Sequence, residues 1–142
     1  LIIGWREWVT LPELGIKQIK AKIDTGARSS SLHAVDLQFY KRNGKEFVKF
    51  KVHPDQKTSS KVVIASGKVL EYRKIKSSNG QTEKRPVILT EIELMGLKWP
   101  IELTLTNRVE MGFRMLLGRE SFRTKMLVDA GNSFYGKKMK KK

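Results

Sequence analysis

The sequence predicts a nearly all-β chain with one short helix. Three observations carry this: apolar residues recur at period 2 over several stretches, Asn-Gly dipeptides sit between such stretches, and one segment near the C-terminus reads as helical. The chain has 142 residues, a length that suits one compact domain. Hydrophobic residues make up 39% of it, enough to build a core. No stretch approaches the roughly 18 consecutive apolar residues of a membrane-spanning helix, so no membrane association is expected.

In chain order, Leu1 to Trp8 and Ile16 to Ile23 read as strands separated by a turn at residues 11–15. Ile19, Ala21 and Ile23 give the second its half-buried alternation. After Asp24-Thr25-Gly26-Ala27 the chain passes three serines and becomes extended again over Leu32 to Leu37. Phe39-Tyr40 and Glu46 to Val52 flank Asn43-Gly44, a strong hairpin dipeptide. Residues 53–60 form a polar loop, followed by an alternating stretch at Lys61 to Ala65 and by Gly67. Val69 to Ile75 and Arg85 to Leu94 are two long extended runs joined through Asn79-Gly80, a second hairpin. Residues 95–98 make a third turn before Trp99 to Leu105. Gly118 to Thr124 is the helix candidate, and Met126 to Asp129 the last strand.

Charge narrows the partners. Lys and Arg total 29 against 14 Asp and Glu, a net charge of +15, and five of those lysines lie in residues 137–142. That end reads as a basic disordered tail behind a domain of residues 1–136. The domain still carries +10, a charge that attracts polyanions, and composition alone does not choose among nucleic acid, an anionic membrane surface and an acidic polypeptide. With no cysteine, disulfides, thiolate zinc sites and cysteine nucleophiles are excluded, and two histidines, His33 and His53, are few for a metal site. Leu1 onward shows no basic and apolar leader pattern, and cytoplasmic localisation is expected.

The arrangement with chemical weight is Ala21 to Ala27, an apolar strand delivering the carboxylate of Asp24 onto a Thr25-Gly26 turn. Far along the chain, Met115-Leu116-Leu117-Gly118-Arg119 is an apolar run ending in Gly-Arg. Together with the hairpins between them, these elements resemble the retropepsin family of aspartic proteases. More narrowly, K-I-D-T-G-A-R-S-S-S-L-H-A at 22–34, S-S-N-G-Q-T-E-K-R-P-V-I at 77–88, L-T-N-R-V-E-M at 105–111 and M-L-L-G-R-E at 115–120 resemble a retropepsin-like family named ATP-dependent zinc proteases and associated with ATP-grasp ligases. The resemblance runs from about Gly4 to about Asp129.

It implies an acid-protease closed barrel with a flap hairpin and one short C-terminal helix. Peptide hydrolysis by this route needs two carboxylates sharing a proton across one water. One chain offers one Asp-Thr-Gly, so a homodimer would supply the second Asp24 on its two-fold axis. On this reading Asp24, Thr25 and Gly26 are catalytic and Gly118 and Arg119 support the loop from beneath. Ala27 contacts substrate, and Asn79-Gly80 is the tip of a flap that closes over it. Asp129, which also precedes an Ala-Gly pair, more simply caps the last strand.

Retroviral members carry an acidic residue after Asp-Thr-Gly-Ala, where it pairs with the Arg of the Gly-Arg element; this chain has Arg28. Arg119 therefore needs another partner, Glu120 or Glu7, and the cleft gains positive charge that favours ionised carboxylates. Arg28, Arg85, Arg108 and Arg114 could offer bidentate donors to carboxylates, so an acidic peptide is the expected substrate. The association with ATP-grasp ligases that add glutamates to a ribosomal protein implies a glutamate-tailed substrate and a ligase partner. The zinc in the family name has no H-E-x-x-H behind it, and ATP binding no phosphate loop, so no metal and no cofactor are expected. The alternative is a non-catalytic basic β-barrel module gripping RNA or a ribosomal surface through charge and aromatics such as Trp5, Trp8, Phe39, Tyr40 and Tyr72. Their place in alternating strands favours core packing instead.

Overall fold

The computed structural model describes residues 1–55, 61–76, 80–107 and 112–136, with 75 and 76 described by backbone alone. Its strands in chain order are β1 (Ile2–Gly4), β2 (Arg6–Leu11), β3 (Ile16–Asp24), β4 (Ser30–His33), β5 (Val35–Arg42), β6 (Lys45–Val52), β7 (Val63–Lys76), β8 (Thr82–Leu94), β9 (Leu97–Thr106), β10 (Met115–Gly118) and β11 (Leu127–Asp129). One helical turn, α1 (Arg119–Phe122), joins β10 to β11.

Six strands close a barrel. The order β2-β3-β10-β4-β9-β8 is hydrogen-bonded throughout, and β8 meets β2 again at Thr10 and Glu93. Closure removes the exposed edges that an open sheet would leave. Beyond β8 the sheet continues through β7 and β6 to β5, and β1 pairs separately with β11. Inward positions seal the core: Val9, Leu11, Ile19, Ala21, Leu32, Ile88, Leu103, Met115 and Leu117 are all buried.

The hairpins follow turn chemistry. Asn43 and Gly44 both have positive φ, 53° and 75°, as the two-residue turn that matches strand twist requires. Met95 and Gly96 do the same at 50° and 83°. Three expectations need correction. The first strand is two, because β1 pairs with β11 while β2 pairs with β3; at the break, a Cβ on Gly4 would lie 2.6 Å from Ser133 Cα. The stretches on either side of Gly67 are one strand, β7, with a register shift between Val69 and Glu71. Gly67 interrupts nothing because its missing side chain makes room for Ile88, whose Cδ1 would stand 3.0 Å from a Cβ there. The helix is shorter than expected, since Gly118 ends β10 in extended geometry.

The aromatics are the fourth correction. Phe39, Tyr40 and Tyr72 are exposed, Trp5 and Trp8 half-buried, and none belongs to the core. In β2 the inward phase is held by Glu7, Val9 and Leu11, which turns Trp8 outward to stack on Phe134.

Candidate active site

Asp24 ends β3, and the element beside it comes from almost a hundred residues later. β10 runs parallel to β3 and antiparallel to β4, inserted between them, with Gly118 in register with Asp24. Two stretches distant in sequence, the Asp-Thr-Gly turn and the Leu-Leu-Gly-Arg run, are thus adjacent.

Four hydrogen bonds from the end of β10 and the start of α1 hold the turn and the segment after it. Arg119 N donates to Ala27 O at 2.8 Å and Glu120 N to Arg28 O at 3.1 Å. Arg119 Nη1 donates to Gly26 O at 3.2 Å, and Gly118 N to Ser30 Oγ at 3.0 Å. Gly118 can sit this close because it lacks a side chain: a Cβ would fall 2.6 Å from the carbonyl carbon of Ser29. Ser30 Oγ also bonds Ser121 Oγ, and Trp99 Nε1 donates to Ser121 O at 2.7 Å.

Within the turn, Asp24 Oδ1 accepts from Gly26 N at 2.9 Å and Ala27 N at 3.2 Å. These bonds fix one carboxylate oxygen against its own loop and orient the group. Thr25 and Gly26 are exposed and Asp24 is half-buried, so the turn presents a carboxylate at the protein surface.

Arg119 does not pair with Glu7 as expected. Glu7 is fully buried, and its carboxylate accepts from Gly4 N, Tyr135 N and Gly136 N at 2.7, 2.8 and 2.9 Å. Its place in the inward phase of β2, between Val9 and the β1 end, was the sequence signal for that role. Glu120, the other expected partner, faces Arg28 Nε at 3.8 Å and Arg123 Nη1 at 3.3 Å.

Among the described residues, the arginines expected to meet substrate do not gather as a set. Arg28 lines a cavity of about 670 Å³ beside the Asp24 turn, together with Arg73, Trp99, Glu102, Ser121 and Lys125. Arg85 is only 8% exposed, bonds Glu83 at 3.2 Å, and lines a different cavity of about 380 Å³. Arg114 Nη1 lies 3.3 Å from His33 Nδ1. Arg108 and Asn79 fall outside the described residues, and Gly80 is exposed at φ 84°. Asp129 caps its own loop, accepting from Gly131 N, Asn132 Nδ2 and Tyr135 OH.

Arg73, which the sequence did not single out, lines the same cavity as Arg28. It donates to Ser29 Oγ at 3.1 Å, Glu71 at 3.0 Å and Glu102 at 2.6 Å, tying the middle of the β7–β8 pairing to the segment after Asp24. A cation in mid-strand carries no local marker of such a contact.

Among the described residues no group of three or more His, Asp or Glu side chains is gathered to hold a metal. Nor, among them, is any helix long and apolar enough to cross a membrane.

Known proteins share both sequence and geometry with this chain. A probable alpha-L-glutamate ligase of Shewanella pealeana (strain ATCC 700345 / ANG-SQ1) is 51% identical over 133 residues, 94% of this chain and 29% of that protein. One from Desulfotalea psychrophila (strain LSv54 / DSM 12343) is 49% identical over 128 residues, 90% of this chain and 28% of that protein. The chain therefore spans under a third of the length of these curated relatives. A crystal structure of a Legionella pneumophila protein of unknown function superposes with a TM-score of 0.78 at 32% identity, covering 94% of this chain and 96% of that one. The sequence model of a RimB-like family, described as retropepsin-like aspartic endopeptidase RimB, matches residues 2–139. That description names an aspartic enzyme, and the zinc-protease name finds no support in it. With the model matching nearly the whole chain around the paired Asp24 and Gly118 elements, the protein belongs to the RimB-like family of retropepsin-like aspartic endopeptidases.

Proposed function

We propose that the protein is an aspartic endopeptidase whose active unit is a homodimer with one Asp24 from each copy. The observation that carries this reading is the register of Gly118 with Asp24, which lets residues 118–120 buttress a surface-presented carboxylate through four bonds. A single turn presents a single such group, and a two-fold axis through it would bring two together. Two close carboxylates cannot both ionise readily, so the pair would hold one proton.

The ionised member takes a proton from water as its oxygen attacks the substrate carbonyl carbon. The protonated member gives its proton to the carbonyl oxygen, forming a tetrahedral diol. Collapse of the diol breaks the C–N bond: the pair gives its proton to the departing nitrogen and takes one from a diol hydroxyl as the carboxyl product forms, so it again holds a single proton. Thr25 and Gly26 hold the turn at the axis, Ala27 lies along the substrate, and the β7–β8 hairpin with Gly80 near its tip would cover the peptide.

An acidic, glutamate-rich peptide is the substrate class. Arg28, 76% exposed by side chain, together with Arg73 and Lys125 places three cations against Glu102 and Glu120 in the cavity beside the turn. The longer relatives that contain this stretch are named probable alpha-L-glutamate ligases, which supports a glutamate-rich substrate and suggests a ligase partner.

The test is hydrolysis of an oligoglutamate-tailed peptide by wild type and Asp24→Asn, read by mass spectrometry. Wild type cleaves, and Asp24→Asn loses at least about a thousandfold while keeping its fold. Excess Asp24→Asn added to wild type lowers the rate by forming mixed dimers. Equal cleavage by both proteins, or no cleavage by either while folded, sinks the proposal.

A further inference from the structure

β5, β6 and β7 extend beyond the closed barrel, and strand pairing fixes which side chains share each face. Arg42 stands opposite Lys45; Tyr40, Phe47 and Lys68 form the next row, and Gln38, Lys49 and Ser66 the row after it. Lys51 and Ile64 complete the series. Residues two apart on a strand point the same way, about 7 Å apart, so all of these lie on one face. Every one is exposed except half-buried Phe47. The opposite face is core: Val48, Phe50, Val52 and Ala65 are buried.

This outward face carries five cations and no carboxylate in its strand rows, and Asp36 neutralises Lys51 alone at 3.2 Å. At its centre the rings of Tyr40 and Phe47 stack with centroids 5.6 Å apart and planes 17° from parallel. Nothing in the barrel requires aromatic rings there, since they face away from the core. A flat sheet face with a central aromatic pair among cations is the chemistry by which single strands are gripped, cations meeting phosphates and rings stacking on bases.

We propose that the outward face of β5, β6 and β7 binds single-stranded RNA, as a surface separate from the Asp24 turn. An acidic peptide would satisfy the cations but gain little from the rings, so the aromatic pair favours bases over carboxylates.

The experiment is fluorescence anisotropy of the full chain with a fluorescein-labelled 12-nucleotide oligouridine and, separately, a fluorescein-labelled oligoglutamate. Wild type binds the RNA, and log K falls with log salt with a slope of about −2 to −3 for roughly four phosphate contacts. Tyr40→Ser with Phe47→Ser, which leaves net charge unchanged, weakens RNA binding at least fivefold and leaves any oligoglutamate binding as it was. Tyr40→Ser alone, at an exposed position, gives a smaller loss in the same direction and keeps the test alive if the double variant fails to fold. Trp8→Ser, on another strand face, changes nothing, and the basic C-terminal lysines are common to all these proteins. Undiminished RNA binding by the folded aromatic variants overturns the proposal. So does absence of RNA binding at 50 mM salt, or oligoglutamate binding as tight as RNA and equally dependent on the rings. Peptidase activity is read separately, so its failure leaves this outcome unaffected.

Discussion

Gly118 packs directly on Ser29, and a Cβ at 118 would stand 2.6 Å from the Ser29 carbonyl carbon and 2.8 Å from its nitrogen. Both neighbours are backbone, in the segment leading out of the Asp24 turn, so no side chain can swing aside. Gly118→Ala must push β4 and the turn away from β10. We expect a loss of about 1–3 kcal/mol in urea unfolding, the usual range for overpacking, and a fall in peptide hydrolysis larger than that loss accounts for.

Arg119 is held to the turn twice, by its amide to Ala27 O and by its guanidinium to Gly26 O. Arg119→Met removes only the second link, at an exposed position, and should change stability by about 1 kcal/mol or less. Hydrolysis should fall at least about tenfold, because small displacements of reacting groups are costly to rate. Comparing kcat with the urea midpoint separates the two effects; a stability loss matching the activity loss would show that Arg119 serves the fold alone.

Glu7 joins β1 to the segment at Tyr135 and Gly136. Its carboxylate accepts one amide from Gly4 and two from Tyr135 and Gly136, with no exposure to water. Glu7→Ala strands one buried and two part-buried donors and should cost about 2–3 kcal/mol. Glu7→Gln keeps one acceptor but turns an NH2 group toward an N–H, so it should fall between Ala and wild type. A urea series on the three proteins checks the order.

The hairpins at Asn43-Gly44 and Met95-Gly96 were legible because turn chemistry is local: positive φ suits Asn43, Gly44 and Gly96, and Met95 takes it at 50° beside its glycine. Asp24 and Gly118 were legible as a pair through family resemblance, whereas their register depends on a parallel pairing across the whole chain. Facing was harder to read. Phe39 and Tyr40 are adjacent in β5 and must point to opposite faces, and both are exposed because β5 lies at the outer edge of the extension. Arginine placement was not readable at all. Arg85 is buried against Glu83 while Arg73, on the facing strand, reaches Ser29, and only the three-dimensional arrangement distinguishes them.

His33 makes stability depend on pH. It ends β4 with 8% exposure; burial, then the neighbouring positive charge of Arg114 and then His53, pushes its pKa below the usual 6.5, against a smaller opposing bond at Asn107. The folded state therefore binds this proton more weakly than the unfolded chain. Between 6.5 and the lowered folded value, the unfolded state carries more protons, so stability rises with pH through that window. The contribution is complete above 6.5 and is lost as pH falls toward the folded value. His33→Gln has no such proton, so its urea midpoint should fall less than that of wild type between pH 7 and pH 5. Parallel pH profiles for the two proteins would mean that another group governs the acid response.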